Sequence, residues 1–318
     1  MRLPTLSAAA LLLAACTVPP PRSLPTAPPE ALPRPVAAAW TSASPHAATA
    51  LASWTDEDGA VRVISASPAG LVVRDGDSGA VLADAAARAA HPRDPADMAV
   101  FGDHLFVVER GQHRAQVLSL PHFTPTGSIG AEQLAQPGGI WVDESGPDEL
   151  RLFVADAGNA RAARFLLQFD EAGQVQARAD GGFPVAAGPR GLVGDPADNR
   201  LLVATASAVH AYDVAGHAGD HALPPAAALA LWTCPDGGGY WLLAGPQDGI
   251  AVFDRATLAP RGGFDAAAGR PLTALDLHAA GSTRFPAGAL YAVAGDTLVA
   301  FDLREIATAL DLARDCVQ

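Results

Sequence analysis

The chain carries no lysine, because all 21 of its basic residues are arginine. Schiff-base chemistry and phosphate cradles that depend on a lysine amine are therefore excluded. Gly76-Asp77-Ser78-Gly79 has the residue order of a nucleophilic serine segment. No His or Asp elsewhere has matching context, and the segment sits between two apolar runs where a hairpin turn is expected. Thr55-Asp56-Glu57-Asp58-Gly59 offers carboxylates, yet it lacks the closing Glu and the ligand spacing of a calcium loop. His104, His113, His210, His217 and His221 fall in no metal-binding spacing such as HExxH, and are read as surface or structural residues. Arg151, Arg161 and Arg164 make a local basic spot of the kind found on a solvated strand edge. A formal charge of −13 argues against general nucleic-acid binding, which needs a basic face to displace counterions.

The N-terminus reads as an address. Arg2 precedes an apolar stretch at residues 6–13, too short to span a membrane and of the right length for a secretory signal. Leu13-Ala14-Ala15-Cys16 resembles the bacterial lipobox, so acyl chains on Cys16 are expected to tether the protein to a membrane. Thr17 in place of Asp after that cysteine points to the outer membrane of a bacterial cell envelope. Pro19, Pro20, Pro21, Pro25, Pro28, Pro29, Pro33 and Pro35 then predict an extended, semi-rigid spacer. The expected organisation is a signal peptide at 1–15, a lipidated Cys and Pro-rich linker at 16–45, and one globular body at 46–318.

The body repeats. Val63-Ile64-Ser65-Ala66, Leu105-Phe106-Val107-Val108, Leu152-Phe153-Val154-Ala155, Leu201-Leu202-Val203-Ala204, Trp241-Leu242-Leu243-Ala244 and Leu290-Tyr291-Ala292-Val293 begin 40 to 49 residues apart. Most are followed by a second strand, and four of those end in an aromatic-Asp step: Phe169-Asp170, Tyr212-Asp213, Phe253-Asp254 and Phe301-Asp302. The aromatic suits a position between sheets, and Asp suits the turn that follows by accepting backbone hydrogen bonds. Further apolar runs such as Gly139-Ile140-Trp141-Val142 and Gly191-Leu192-Val193 precede the first strands. Three or four short strands in each of six periods predict an all-β, six-bladed β-propeller. Ile306, Ala309, Leu310 and Ala313 recur at helical spacing and predict a short closing helix.

Two segments carry a family resemblance. Trp232-Thr233-Cys234-Pro235-Asp236-Gly237-Gly238-Gly239-Tyr240-Trp241-Leu242-Leu243-Ala244, running on to Val252-Phe253-Asp254-Arg255, resembles the fifth repeat of the bacterial β-propeller phytases. Phe285-Pro286-Ala287-Gly288-Ala289-Leu290-Tyr291-Ala292-Val293, running on to Val299-Ala300-Phe301-Asp302, is similar to that family's last repeat. The register extends back to Trp54 and covers roughly residues 46–312. The resemblance implies a calcium-dependent 3-phytase, a phosphomonoesterase acting on inositol hexakisphosphate. In such an enzyme carboxylates at the channel mouth hold several Ca²⁺ ions that bridge to phosphate and activate water.

The sequence departs from that pattern at the residues that matter. The family's paired aspartates fall on Thr49 and Ala50, and its fourth-repeat Glu-Gly falls on Arg190-Gly191. Its following Glu-Glu falls on Thr205-Ala206, its fifth-repeat Glu-Gly on Ala227-Ala228 and its final Thr-Asp-Gly on Leu272-Thr273-Ala274. Substrate lysines fall near Pro68 and on Ala157, and an aromatic falls on Gly138. Arg110 keeps the place of a phosphate-binding arginine, with Asp97 and Asp276 as surviving acids and Arg190 as a new cation at the mouth. The expectation is an envelope-anchored, catalytically degenerate propeller that serves as a binding or scaffold module for an envelope protein or a small anionic ligand. One alternative is a working phytase whose calcium ligands are Asp94, Asp97, Glu109, Asp156 and Asp276. Another is a lactonase-like propeller with a single metal. Cys234 and Cys316 are free to pair in an oxidising compartment, or to remain independent thiols.

Overall fold

The computed structural model describes residues 33–44, 46–83, 87, 90–146, 149–245, 249–266 and 269–317. Cys16, the signal segment and most of the proline-rich stretch lie outside the described residues.

Six sheets make the body. They are β3–β5 (Ala50–Thr55, Val61–Ser67, Gly70–Asp75), β6–β9 (Pro95–Phe101, His104–Glu109, Arg114–Ser119, Thr124–Ile129) and β10–β13 (Pro137–Gly146, Glu149–Asp156, Arg161–Phe169, Val175–Pro184). Then come β14–β17 (Gly191–Asp195, Arg200–Ala204, Val209–Asp213, Ala218–Leu223), β18–β21 (Ala228–Thr233, Gly239–Ala244, Gly249–Asp254, Pro260–Asp265) and β22–β24 (Leu272–His278, Ala289–Ala294, Thr297–Asp302). Within each sheet the chain meanders antiparallel from the innermost strand outward. The innermost strands β3, β6, β10, β14, β18 and β22 each touch the next, and β22 returns to β3, which closes a six-bladed propeller.

The apolar runs that repeat through the sequence are the second strands of the blades. Each is sandwiched between neighbours, so both of its faces must be apolar. In β11, Leu152 and Val154 pack toward the second blade while Phe153 and Ala155 pack toward the fourth. In β15, Leu201 and Val203 face one neighbour and Leu202 and Ala204 the other. The core is accordingly divided among the six interfaces between blades, not gathered in one centre. The aromatic-Asp steps do what their chemistry suggested. Asp170 Oδ1 accepts from the amides of Ala172 and Gln174, each at 2.9 Å, and Asp213 Oδ1 from those of Ala215 and His217 at 3.0 and 2.8 Å. Asp302 caps helix α1 (Leu303–Leu310) by accepting from Arg304 N.

Two expectations need correction. The segment read wholly as linker contributes strands to the propeller: β1 (Arg34–Pro35) lies parallel beside β21, and β2 (Trp40–Ala43) pairs antiparallel with β24. The last blade is thus built from both ends of the chain, so that β24 gains a fourth-strand neighbour instead of a bare edge. Second, α1 buries Leu303, Ile306, Ala307 and Leu310, but Ala313 lies beyond it. Asp311 takes a left-handed conformation at φ 55°, which ends the helix before the apolar periodicity does. Cys316, in the turn Arg314–Val317, forms a disulfide with Cys234, their Cα atoms 4.4 Å apart.

Candidate functional site

The inner strands all begin at one end of the ring, where they surround a cavity of about 620 Å³. Thr49, Ala96, Gly138, Arg190, Ala227 and Thr273 line it, one from each blade's entry into its inner strand. Arg110, Ala157 and Ala206 reach it from loops between second and third strands. These include most of the positions that the phytase resemblance marks as ligand-bearing, and the fold brings them to one place. Their side chains are of another kind. A Ca²⁺ ion wants six to eight oxygen ligands, largely carboxylate, whereas this lining carries alanines, glycines and threonines, and its charged residues are two arginines. The residues present do not fit a calcium cluster.

The five acids considered as displaced calcium ligands do not converge either. Glu109 is buried and accepts from Arg93 N and from Arg114 Nε, both at 2.7 Å. Asp156 is fully buried and accepts from Gln136 N at 2.7 Å, from Ala135 N at 3.2 Å and from Asn159 Nδ2 at 2.6 Å. Their oxygens are committed to holding loops, a role that any buried carboxylate needs in order to be stable. Asp94 is exposed and lies 3.6 Å from Arg110. Among the described residues, no three His, Cys, Asp or Glu side chains gather as a metal set.

Arg110 opens the short 3₁₀ turn Arg110–Gln112 after β7, and among the described residues its half-exposed guanidinium meets only the loose contact with Asp94. Arg190 is exposed just before β14, its amide bonded to Ala204 O at 2.8 Å. Its side chain makes no hydrogen bond or ion pair with the described residues, so the pairing with a nearby acid that would make it merely structural is missing. Gly138 explains how Arg190 reaches the mouth. A Cβ on Gly138 would stand 2.5 Å from Arg190 O, so only glycine lets the two inner strands start so close together.

Two acids lie on the inner strands. Asp97 on β6 accepts from Met98 N at 2.9 Å and from Ile140 N at 3.0 Å. Asp276 on β22 accepts from Ser53 Oγ. Both residues are part-buried, and each bonds to the inner strand of the next blade. Burial pushes Asp97 up to about 7 against the pull of its two amide donors, with the charge of Asp276 adding to the rise. Burial likewise raises Asp276 to about 6, against the hydrogen bonds from Ser53. His278 continues the line: its Nδ1 is 3.2 Å from Ser53 Oγ and its Nε2 is 3.2 Å from Thr55 Oγ1. Burial lowers the His278 pKa and so favours the neutral ring. The chain of contacts runs Asp276–Ser53–His278–Thr55, with serine between acid and imidazole. A nucleophilic triad requires the imidazole in the middle, so this is a polar cluster and not an activated serine. Sequence reading reached Asp97 and Asp276 but missed Ser53 and His278. The legible signal was period-two polarity, Ser53/Thr55 and Asp276/His278, inside strands otherwise apolar.

Gly76-Asp77-Ser78-Gly79 is the expected turn, with Asp75 Oδ1 accepting from Ser78 N at 2.9 Å and from Ser78 Oγ at 2.6 Å. Arg164 pairs with Asp180 at 2.8 Å and Arg151 with Glu149 at 3.2 Å, so that basic spot is a strand surface balanced by acids.

No family model matches this sequence, and no curated protein matches it. Among solved structures, the chain is similar to one described as "Crystal structure of Nidogen/Laminin Complex", at 14% identity and a TM-score of 0.48, over 70% of this chain and 81% of that one. A likeness of that degree carries no argument about what this chain binds.

Proposed function

We propose that this protein is a binding propeller, related to the phytases in architecture but not in chemistry, that takes an anionic ligand at its channel mouth. Arg110 and Arg190 are the cations that meet the anion. The observation that carries this reading is the mouth's lining: positions that the family resemblance assigns to calcium ligands meet around one cavity, with two arginines supplying its only charge. An arginine fork presents several N–H donors to phosphate or carboxylate in fixed geometry. The chain as a whole is acidic at −13, so a local positive mouth steers anions to that end. In this reading the chain is a lipoprotein of the bacterial envelope, held at the outer membrane through Cys16, and needs no resident cofactor.

The test is titration calorimetry of the full chain with inositol hexakisphosphate as a polyanionic probe, first with chelator and then with Ca²⁺, while released phosphate is assayed. Saturable binding in chelator is expected, weakened at least tenfold in R110Q/R190Q, without phosphate release. A binding isotherm for several Ca²⁺ ions accompanied by phosphate release would overturn the reading and restore the enzyme. Lipid attachment is tested separately, by metabolic labelling with a fatty-acid analogue that C16A should abolish.

A further inference from the structure

Near the ring's closing seam, apart from the mouth, a buried cation borders a cavity of its own. Arg74, on β5, is 1% exposed, one of the largest fully buried side chains in the protein. A buried charge ordinarily needs a counter-charge. The other buried arginine has one: Arg255 donates from Nε to Asp195 Oδ2 and from Nη2 to Asp195 Oδ1, each at 2.6 Å. Arg74 has none among the described residues. It donates only to neutral groups: from Nε to Ser42 Oγ at 3.3 Å, from Nη1 to Ser65 Oγ at 2.7 Å and from Nη2 to Ala43 O at 3.0 Å. A guanidinium has five N–H donors, so among the described residues one N–H on each terminal nitrogen is left without an acceptor, the number that a bidentate carboxylate takes up. Burial lowers the Arg74 pKa, with no acid acting in the other direction.

Arg74 also lines a cavity of about 130 Å³ between the first blade and the segment that follows β2, from which Ser44, His46 and Ala48 line it. That is roughly four times the ~30 Å³ that a water occupies in the liquid, enough for a carboxylate and a short chain of carbons. Ser44, Ser65 and Ser67 supply hydroxyls beside the guanidinium, and exposed His46 gives the cavity contact with solvent. Ala48, Ala69 and Leu71 supply apolar lining, and among the described residues no Asp or Glu is part of it. Among the described residues, a charge left uncompensated, two free donors and an apolar recess coincide at one place.

We propose that this cavity binds a small monocarboxylate, its head on Arg74 and its short apolar tail against Ala48, Ala69 and Leu71. Because Arg74 also donates to Ser42 and Ala43 of β2, and Ser44 just after it lines the cavity, the bound anion fastens the N-terminal strand to the first blade.

Propionate, titrated into the full chain at constant ionic strength made up with chloride, tests the site. One saturable site is expected, with a thermal midpoint that rises and then levels off as propionate is added. R110Q/R190Q should keep that binding in full, which separates it from the mouth. R74M should weaken it at least tenfold. Should R74M fail to fold, A69L replaces it: Ala69 is exposed, so its substitution spares the core while filling the recess. Absence of saturable binding in the wild type overturns the proposal, as does binding unchanged in R74M or A69L, or binding lost in R110Q/R190Q. Saturation by sulfate where propionate gives none overturns the monocarboxylate assignment.

Discussion

At the scale of single residues, the two inner-strand carboxylates set how stability varies with pH. Asp276 has a folded-state pKa of about 6 against an unfolded value of about 3.9. Between those values the folded chain keeps a proton that the unfolded chain has lost. Stability from this group is therefore full below about pH 4 and is lost as pH rises through about 6. At about 1.4 kcal/mol for each pH unit between the two values, the loss is on the order of 2–3 kcal/mol. Asp97, at about 7, acts with the same sign over a higher window. Asp254, held down to about 2 by the Arg261 guanidinium, acts with the opposite sign and only in acid, its stability being lost as pH falls through about 2. D276N keeps an oxygen for Ser53 and removes the titration. Urea midpoints measured from pH 4 to 8 should fall with rising pH in the wild type and fall less in D276N. The residual slope should move to lower pH, because Asp97 loses its charged neighbour. A wild-type profile that is flat across this range would mean that the carboxylates are open to water. These acids were legible through the family resemblance, which attended to the mouth. The alternation that places Ser53 and His278 beside them is visible in the sequence, but its meaning depends on which strands line the channel, and that is decided by the ring.

At the scale of elements, the second strands were the legible part, since burial on both faces writes an unbroken apolar run that needs no partner to interpret. The closing strand β2 was not legible. It has four residues, follows a proline-rich stretch and pairs with residues some 250 positions away, from Trp40↔Ala300 to Ala43↔Thr297. Nothing local distinguishes it from linker. Its anchor is Trp40, which is buried, donates from Nε1 to Gly76 O at 2.9 Å and packs with its ring centroid 5.9 Å from that of Tyr291. Gly79 makes room for it: φ there is +73°, and a Cβ would stand 2.6 Å from the indole. W40A should therefore cost about 3–5 kcal/mol, the usual range for truncating a buried aromatic. Denaturant titration would check the magnitude, and hydrogen exchange should locate the loss in β24, whose edge would be uncovered. A cost below 1 kcal/mol would show that the ring closes without β2.

At the scale of the whole molecule, both ends of the described chain are fastened to the last two blades, and the fastenings are independent of the mouth. The N-terminal strands lie on β21 and β24, while the C-terminal turn is held by the Cys234–Cys316 disulfide. Cys234 follows the far end of β18, whose near end at Ala228 adjoins the mouth residue Ala227. Six residues of strand at about 3.3 Å each put the disulfide about 20 Å from the mouth residue Ala227. It spans 82 residues of sequence, so its chief effect is on the unfolded chain, which it keeps from spreading. Replacing both cysteines in C234S/C316S should then lower stability by about 2–4 kcal/mol, read by calorimetry, and leave polyanion affinity at Arg110 and Arg190 unchanged. Loss of that affinity along with stability would tie the mouth to the tail and contradict the separation. Two titratable thiols in the non-reduced wild type would contradict the bond itself. With stability alone affected, the tail is a fastening and the mouth a surface free to vary, which is the division of labour by which a propeller ring changes what it binds and keeps its fold.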